Sequence, residues 1–324
     1  MRTESCSWKR EAGKQKLFSI ILKQTLIIKF ALALVVLLML HNVSFAQTKE
    51  GSLIAKGAKP EKLADNFKFT EGPACDHDGN IFFTDQPNNR IFKWSTENKL
   101  SVFGENLGRA NGMYFDHKGN LISCSDEKNE LWSIAPNGKV TVLVKDFEGK
   151  KLNGPNDLWI APNGGIYLTD PFYKRPWWDH ESSEQDGEHV YYLAPGAPKL
   201  IRVATDFEKP NGIIGTPDGK YLYIADIKGN KTWRYSILKD GTLSGKTLFA
   251  EMGSDGMTID RKGNIYLTGK GVTIFNPKGV QLANIPIPES WTANVCFGGK
   301  DRHLLFITAS KSVYGLKMKM KGIK

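Results

Sequence analysis

The chain has 324 residues, of which 40% are hydrophobic and 24% are charged, and its formal net charge is +10 at pH 7. This length and apolar content suffice for a substantial buried core, which excludes an intrinsically disordered chain. No nucleic-acid partner is expected, because the tail KSVYGLKMKMKGIK is the one basic cluster after residue 46 and solvated tail lysines account for it.

The N-terminus carries the pattern of a secretory signal peptide, predicted over residues 1–46. Basic residues precede an uncharged apolar run over residues 30–40, and small residues follow at Ser44 and Ala46. The run is short for a membrane span, so cleavage is predicted, with an uncleaved membrane anchor as the alternative. Either way the folded part, residues 47–324, is expected outside the cytoplasm, in the periplasm or secreted. Seven basic and two acidic residues leave with the signal, so this part has a net charge of +5.

Three cysteines remain after the predicted cleavage, Cys75, Cys124 and Cys296. An oxidising compartment allows either one disulfide and one free thiol or three buried thiols. The sequence contains no Cys-x-x-Cys motif, so it gives no indication of a cysteine-bound zinc site or a thioredoxin-like centre.

One motif returns six times along the folded part. Its copies are DHDGNIFFTD, DHKGNLISCSD, APNGGIYLTD, TPDGKYLYIAD, DRKGNIYLTG and, more loosely, GKDRHLLFIT. Each copy predicts a β-hairpin around an Asp/Asn-Gly turn, and runs such as RIFKWS and LSVFGE bring each repeat to about four strands. Six successive four-stranded units predict an all-β fold, a six-bladed β-propeller. A β-sandwich is the competing architecture, but it does not explain six returns of one motif.

Each repeat has an Asn, Asp or Glu at the same place, eight residues before the turn glycine or at the matching position of the sixth copy. These residues are Glu71, Asn111, Asn156, Asn211, Asp255 and Asn294. The first strand of a propeller blade lines the central channel, so these side chains are expected to converge on the axis. Converging carboxylates and amides match the oxygen ligands of a divalent cation, with Ca²⁺ first and Mg²⁺, Mn²⁺ or Zn²⁺ as alternatives. The competing interpretation is that they cap turns at the blade entrances.

A second series of acids follows 14 or 15 residues after the first four ring positions. Its members are Asp85, Asp126, Asp170 and Asp226. A hairpin returns the chain to the face where it began, so these carboxylates are expected at the rim of the same channel mouth. Their two interpretations, substrate contact and strand-end turn capping, stay open.

The series TEGP, RANG, NGPNDL, PNGI, SDGMTID and GNIYLT resembles the family of gluconolactonases, senescence marker protein (regucalcin) and luciferin-regenerating enzyme, and especially its bacterial gluconolactonase-like members. The resemblance covers nearly all of residues 60–310. It implies a six-bladed propeller with one divalent cation in the channel, held by Glu71, Asn211 and Asp255. It also implies that Asn156 lies beside the cation and contacts water or substrate. Arg109 and Asn111, from RANG, would lie on the substrate side.

Two stretches depart from the expected pattern. Ser125 and Asp126 occupy places where CEH-like residues are expected, so the resemblance does not transfer the substrate. The insertion DPFYKRPWWDHESSEQDGEHVYYL follows the third repeat, and its aromatic residues are expected either to form a lid over the mouth or to pack on their own blade. The residues that we predict to contact substrate are Arg109, Asn111, Asp170, Trp177, Trp178, His189 and Asn294.

The leading functional hypothesis is a metal-dependent lactonase acting on a sugar lactone or related cyclic ester. Asp255 is predicted to be both ligand and general base, and Asn156 to orient water or the carbonyl group. His180 and His189 are weaker candidates for the base. The sequence shows no Gly-x-Ser-x-Gly, His-Glu-x-x-His or Gly-x-x-x-x-Gly-Lys-Ser/Thr motif. The alternatives are a non-catalytic binding propeller and another ester hydrolase, lyase or synthase on the same fold.

Overall fold

A computed structural model describes residues 53–323, and the predicted signal peptide lies outside them. Within this range, 24 strands form six four-stranded antiparallel sheets, and two more form a short ribbon. No helix in the described range is both long and apolar enough to cross a membrane. The prediction of an all-β propeller is confirmed.

The six sheets are the blades, and they follow the chain in order. Strand β1 (Glu61–Ala64) precedes blade 1, which contains β2 (Thr70–Cys75), β3 (Ile81–Asp85), β4 (Arg90–Trp94) and β5 (Leu100–Glu105). Blade 2 contains β6 (Ala110–Phe115), β7 (Leu121–Ser125), β8 (Glu130–Ile134) and β9 (Val140–Val144). The ribbon of β10 (Asp146–Phe147) and β11 (Lys150–Lys151) comes next.

Blade 3 contains β12 (Leu158–Ile160), β13 (Ile166–Asp170), β14 (His189–Leu193) and β15 (Leu200–Ala204). Blade 4 contains β16 (Pro210–Gly215), β17 (Tyr221–Asp226), β18 (Lys231–Ile237) and β19 (Leu243–Ala250). Blade 5 contains β20 (Met257–Ile259), β21 (Ile265–Gly269), β22 (Gly271–Phe275) and β23 (Gln281–Ile285). Blade 6 contains β24 (Thr292–Gly298), β25 (Leu304–Ala309) and β26 (Ser312–Lys317), completed by β1.

The ring of blades closes because β1, from the start of the described chain, pairs antiparallel with β26 at its end. The innermost strands β2, β6, β12, β16, β20 and β24 each contact the next one around the axis. Because β1 completes the sheet of blade 6 and the chain continues from it into β2 of blade 1, the last blade is tied to the first.

The repeated turn that the sequence shows has a side-chain lock in several blades. In blade 1 the Asp76 carboxylate accepts hydrogen bonds from the backbone N–H and the side-chain amide of Asn80, each at 2.8 Å. Asp116 with Asn120 and Asp260 with Asn264 make the same pair of bonds. Between Asp76 and Asn80, Gly79 adopts φ +98°, which a side chain would oppose. This chemistry fixes the register of the two inner strands, as the hairpin prediction requires.

The core lies between neighbouring blades and is filled by alternate strand residues, among them Phe83, Leu131, Leu168 and Ile224, which are all fully buried. Cys75, Cys124 and Cys296 are free thiols within residues 53–323; Cys124 and Cys296 are buried and Cys75 is half-buried, so the predicted arrangement of three buried thiols holds for two of the three.

Candidate functional site

The six polar positions predicted to converge all lie at the start of the innermost strands. Glu71, Asn111, Asn211 and Asn294 are in β2, β6, β16 and β24, whereas Asn156 and Asp255 come two residues before β12 and β20. Asp255 is half-buried, and the other five are buried. Each blade therefore contributes one carboxylate or amide to the same end of the axis.

Hydrogen bonds connect members of this ring across blade boundaries. The Asn211 side-chain amide donates to Asp255 Oδ1 at 2.9 Å, linking blades 4 and 5. The Asn294 amide donates to Glu71 Oε2 at 3.3 Å, linking blades 6 and 1. Burial raises the pKa of Glu71 well above its usual range, and the nearby Asp255 and Asp157 carboxylates raise it further. Asn294, predicted to contact substrate, is thus occupied in holding Glu71.

Sequence reasoning missed a third carboxylate of this group, Asp157. It is buried, its Oδ1 accepts the Leu158 N–H at 2.9 Å, and burial raises its pKa to about 7, with Asp255 adding to the shift. A signal for it was present, because the residue after the ring position is glycine in blades 1, 2, 4 and 5 but aspartate in blade 3. A Cβ on Gly112, its counterpart in blade 2, would lie 2.4 Å from Asp157 Oδ1, so that glycine makes room for the carboxylate.

The same packing argument explains two other glycines of this series. A Cβ on Gly72 would lie 1.8 Å from the Asn111 carbonyl oxygen, and one on Gly256 would lie 1.9 Å from Asn294 Cγ. Real side chains cannot approach so closely, so only glycine lets the inner strands come together at this depth. The ring residues are brought into one group by their glycine neighbours.

The residues present fit a divalent cation. The Asn211 side-chain oxygen is buried without a hydrogen-bond partner. The amide nitrogen of the same group donates to Asp255 and Tyr173, which fixes the direction in which that oxygen points. No hydrogen bond within the described chain involves the side chains of Asn111 and Asn156. An orphaned buried acceptor beside two carboxylates of raised pKa is the environment that an oxygen-binding cation satisfies. Among residues 53–323, no three His, Cys, Asp or Glu side chains form a metal-binding group by themselves, so a cation at this place would need the amide oxygens as well.

Trp291 is a further site residue that the sequence did not reveal. Its indole N–H donates to Asp255 Oδ2 at 2.6 Å, so both oxygens of that carboxylate are held, one by Trp291 and one by Asn211. Burial raises the pKa of Asp255 to about 6, while the Trp291 hydrogen bond is the largest influence that lowers it. The Trp precedes Asn294 by three residues in a loop, where no periodicity marks it.

The aromatic insertion, residues 171–188, joins β13 to β14 and reaches both neighbouring blades. On the blade 2 side, Asp126 receives Arg175 Nε at 3.0 Å and the Trp177 indole N–H at 2.9 Å, and the Asp126 carbonyl receives the Trp178 indole N–H at 2.8 Å. Asp126 is only 1% exposed, and its burial raises its pKa against the lowering effect of Arg175. The insertion is therefore fixed to a blade other than its own.

On the blade 4 side the contact is made by Tyr173. Its hydroxyl lies 3.1 Å from the Asn211 amide nitrogen, and the Lys209 ammonium lies 4.6 Å from its ring centroid. Lys209 also donates to the Phe172 carbonyl at 2.7 Å and to Glu188 at 2.9 Å. The insertion thus extends from blade 2 to a member of the ring, as a lid does, and we call residues 171–188 the lid.

Arg109 also contacts the lid. Its guanidinium lies 4.6 Å from the Trp177 ring centroid and 3.6 Å from Glu127, and it donates to the Pro87 carbonyl. Trp177 and Trp178 both use their indole N–H groups to anchor the lid on Asp126, which leaves only their ring faces for other contacts. Substrate contact by Arg109, Trp177 and Trp178 stays a prediction.

Three members of the second acid series are turn caps. Asp85, Asp170 and Asp226 each accept two consecutive backbone N–H bonds from the loop before the inner strand of their blade. For Asp170 the donors are Asn153 and Gly154, both at 2.9 Å, and the carboxylate is fully buried. The predicted substrate contact of Asp170 is therefore corrected to a structural role, because both oxygens are occupied and neither is accessible. Asp126 is the exception, since it holds the lid.

The two histidines of the insertion region lie apart from the ring. His189 begins β14, the third strand from the axis in blade 3, and its Nε2 lies 2.9 Å from Asp186 Oδ1. His180 stacks on Trp178 at 4.8 Å. The strand order explains why His189 lies away from the ring, because only the innermost strand of a blade lines the channel and His189 is in the third strand. His189 pairs across the sheet with Asp170, at the end of β13, and lies outside the strand that lines the channel.

Fold and site together define a class, the six-bladed propellers that carry a ring of carboxylates and amides at one end of the axis. Within that class, the chain belongs to the SMP-30/Gluconolactonase/LRE-like family, whose model matches residues 69–311. The resemblance predicted from the sequence motifs is confirmed.

Individual relatives agree with this assignment. The chain is 29% identical over 293 residues to a gluconolactonase of Zymomonas mobilis, covering 81% of this chain and 82% of that protein. It is 25% identical over 247 residues to a diisopropyl-fluorophosphatase of Loligo vulgaris, covering 68% and 79%. The solved structure of a gluconolactonase from Xanthomonas campestris superposes with a TM-score of 0.76 at 28% identity, covering 82% of this chain and 91% of that one.

Proposed function

We propose that the protein is a metal-dependent lactonase that hydrolyses a sugar lactone or a related cyclic ester. The observation that carries the proposal is the unpartnered, buried Asn211 oxygen within a group of carboxylates whose pKa values are raised. Burying such a group costs free energy unless a cation neutralises the carboxylates and accepts the amide oxygen as a ligand. The gluconolactonases among the relatives support the choice of substrate class.

Glu71, Asn156, Asn211 and Asp255 are the residues that would hold the cation. Their donor atoms are all oxygen, which suits Ca²⁺, Mg²⁺ and Mn²⁺ better than Zn²⁺, and the presence of four protein ligands, two of them amides, favours Ca²⁺ among the three. Such an ion supplies Lewis-acid polarisation of the substrate carbonyl and stabilises the negative charge that develops on it. The remaining chemistry falls to the side chains of this chain.

Asp255 is the general base of this proposal. Its carboxylate is held at both oxygens, by the Asn211 amide and the Trp291 indole N–H, which fixes its orientation. Asp255 takes a proton from water as the water oxygen attacks the carbonyl carbon. The side-chain amide of Asn156, which makes no hydrogen bond within the described chain, orients that water or the carbonyl oxygen.

The test is metal-stripped protein reconstituted separately with Ca²⁺, Mg²⁺, Mn²⁺ or Zn²⁺. Proton release would be measured in a pH-stat on glucono-1,5-lactone and a panel of smaller lactones, and the Loligo relative justifies adding diisopropyl fluorophosphate. Glu71→Gln removes a ligand charge, and Glu97→Gln, at an exposed turn, is the matched control. We expect metal-dependent lactone turnover that is lost only in Glu71→Gln.

Two outcomes would overturn the proposal. Tight cation binding, seen as a thermal shift that Glu71→Gln abolishes, but without turnover of any lactone, would favour a binding propeller. Lactone turnover that survives complete removal of metal and the Glu71→Gln change would show that the ring is not the catalytic centre.

The location of the reaction is also a proposal. The basic-apolar-small pattern of residues 1–46 supports export, which would place the enzyme in the periplasm or outside the cell. N-terminal sequencing of the protein from the periplasmic and secreted fractions tests this, and a mature N-terminus near Gln47 is expected. An intact N-terminus in the membrane fraction would indicate the uncleaved anchor instead.

A further inference from the structure

The lid brings a hydroxyl group to the ring. The Tyr173 side chain extends from the lid to the ring of polar residues. The Asn211 side-chain nitrogen lies 3.1 Å from the Tyr173 hydroxyl oxygen and 2.9 Å from Asp255 Oδ1. The Asn211 nitrogen can only donate, so the phenol oxygen accepts from it. The proton of that hydroxyl is therefore free for a ligand.

The position of Tyr173 is fixed from two sides. The Arg175 guanidinium lies 5.4 Å from its ring centroid and the Lys209 ammonium 4.6 Å. Arg175 is bound to Asp126 of blade 2, and Lys209 to Glu188 at the end of the lid. Each cation is thus paired with an acid and contacts the ring of Tyr173, which orients the phenol instead of leaving it mobile.

We propose that Tyr173 is a catalytic residue that donates a hydrogen bond to the ring oxygen of the lactone as that oxygen leaves. This inference rests on the proposed function. The water oxygen bonds to the carbonyl carbon and its proton passes to Asp255. The bond between the carbonyl carbon and the ring oxygen then breaks with its electron pair on the ring oxygen. That oxygen ends protonated by the proton that Asp255 had taken, and Tyr173 keeps its own proton throughout.

The chemistry of the leaving group makes the assignment testable. An alkoxide departing from a lactone is a strong base, so a donor aimed at it is worth a large factor, whereas a phenolate departing from an aryl ester is stable without one. Tyr173 should therefore matter for δ-valerolactone and hardly matter for phenyl acetate. A residue that only supports the lid would affect both substrates alike.

The experiment compares Tyr173→Phe with the wild-type holoenzyme and with Tyr221→Phe. Tyr221, an exposed residue of β17, also has an arginine near its ring, Arg234 at 5.0 Å, but lies away from the channel. For Tyr173→Phe we expect kcat on δ-valerolactone to fall by about 100-fold, the cost of losing one oxyanion donor, and kcat on phenyl acetate to change by less than about 3-fold. Tyr221→Phe should leave both rates unchanged.

A binding measurement accompanies the kinetics. The product 5-hydroxyvalerate presents the protonated leaving oxygen, and pentanoate lacks it, so calorimetric titration of both isolates the contact with Tyr173. Wild-type protein is expected to prefer 5-hydroxyvalerate, and Tyr173→Phe to bind the two equally. An equal fall in kcat on both substrates for Tyr173→Phe, or no fall on δ-valerolactone, would overturn the proposal for Tyr173. The lactonase function itself is tested separately by Glu71→Gln. If the wild type turns over no lactone but binds 5-hydroxyvalerate better than pentanoate in a manner that depends on Tyr173, the contact is supported and the proposed function is wrong. If it shows neither turnover nor that preference, both are wrong.

Discussion

Replacing Asp126 by Asn should release the lid without unfolding the propeller. The carboxylate accepts Arg175 Nε at 3.0 Å and the Trp177 indole N–H at 2.9 Å in a buried position. An amide of the same shape can accept only one of these bonds and presents its own N–H groups to the other donor. A hydrogen bond to a buried charge is worth about 1.5 to 3 kcal/mol.

The size of the effect follows from two opposing contributions. The lost hydrogen bond and the unpaired Arg175 destabilise the lid. In the opposite direction, burying a neutral amide costs less free energy than burying the Asp126 carboxylate, whose pKa is raised by that desolvation. We expect a net loss of about 2 kcal/mol in the free energy of lid opening, which corresponds to roughly 30-fold faster amide exchange. The Trp178 amide, bonded to the Arg175 carbonyl at 3.2 Å, is a suitable probe.

Hydrogen exchange measured by mass spectrometry over residues 171–188 checks this expectation. Asp85→Asn is the matched control, because Asp85 holds the equivalent place in blade 1 but bonds the backbone of Lys68 and Phe69 and not the lid. It should lower global stability and leave exchange in the lid unchanged relative to the rest of the chain. If exchange over residues 171–188 stays within about twofold of wild type in Asp126→Asn, the Asp126 anchor does not hold the lid and the reasoning fails.

Three further predictions concern the axis and its supports. Burial raises the pKa of Asp170 to about 7, above its value in the unfolded chain, so ionisation of Asp170 lowers the stability of the fold as pH rises from about 4 to 7. In urea unfolding, the free energy of unfolding of Asp170→Asn should therefore rise relative to that of wild type over this range, by at most about 4 kcal/mol. A difference that does not change with pH would contradict this. Gly256→Ala should lose about 1 to 3 kcal/mol of unfolding free energy beyond Gly104→Ala, because its Cβ meets Asn294 Cγ at 1.9 Å whereas a Cβ on Gly104 would meet only the end of the Leu107 side chain, and equal losses would contradict the packing argument. Trp291→Phe removes the N–H that holds Asp255 Oδ2, so calorimetry should show the affinity for Ca²⁺, the proposed cation, falling by about 10-fold or more, against no change for Trp233→Phe in the third strand of blade 4.

The sequence predicted the architecture because the information for it is local and repeated. Each copy of the repeated turn motif specifies one hairpin by itself, and six copies specify six blades; three of the copies have the form Asp-x-x-Gly-Asn, whose Asp accepts hydrogen bonds from the Asn. The ring could be counted out for the same reason, since its members hold one offset from those turns. What the offset could not provide was the neighbour one residue on, Asp157, which the repeat reveals only by departing from glycine.

The rest was decided by contacts between segments far apart in the chain. Asp126 has the same place in its repeat as Asp85 and Asp170, and only the folded lid shows that it binds Arg175 and not a loop backbone. Trp291 reaches Asp255 from another blade. His189 has the residue type of a catalytic base, but strand order puts it two strands away from the axis. A residue's type and spacing fix its chemistry and its place within a blade, whereas closure of the ring and the path of the lid decide which groups meet.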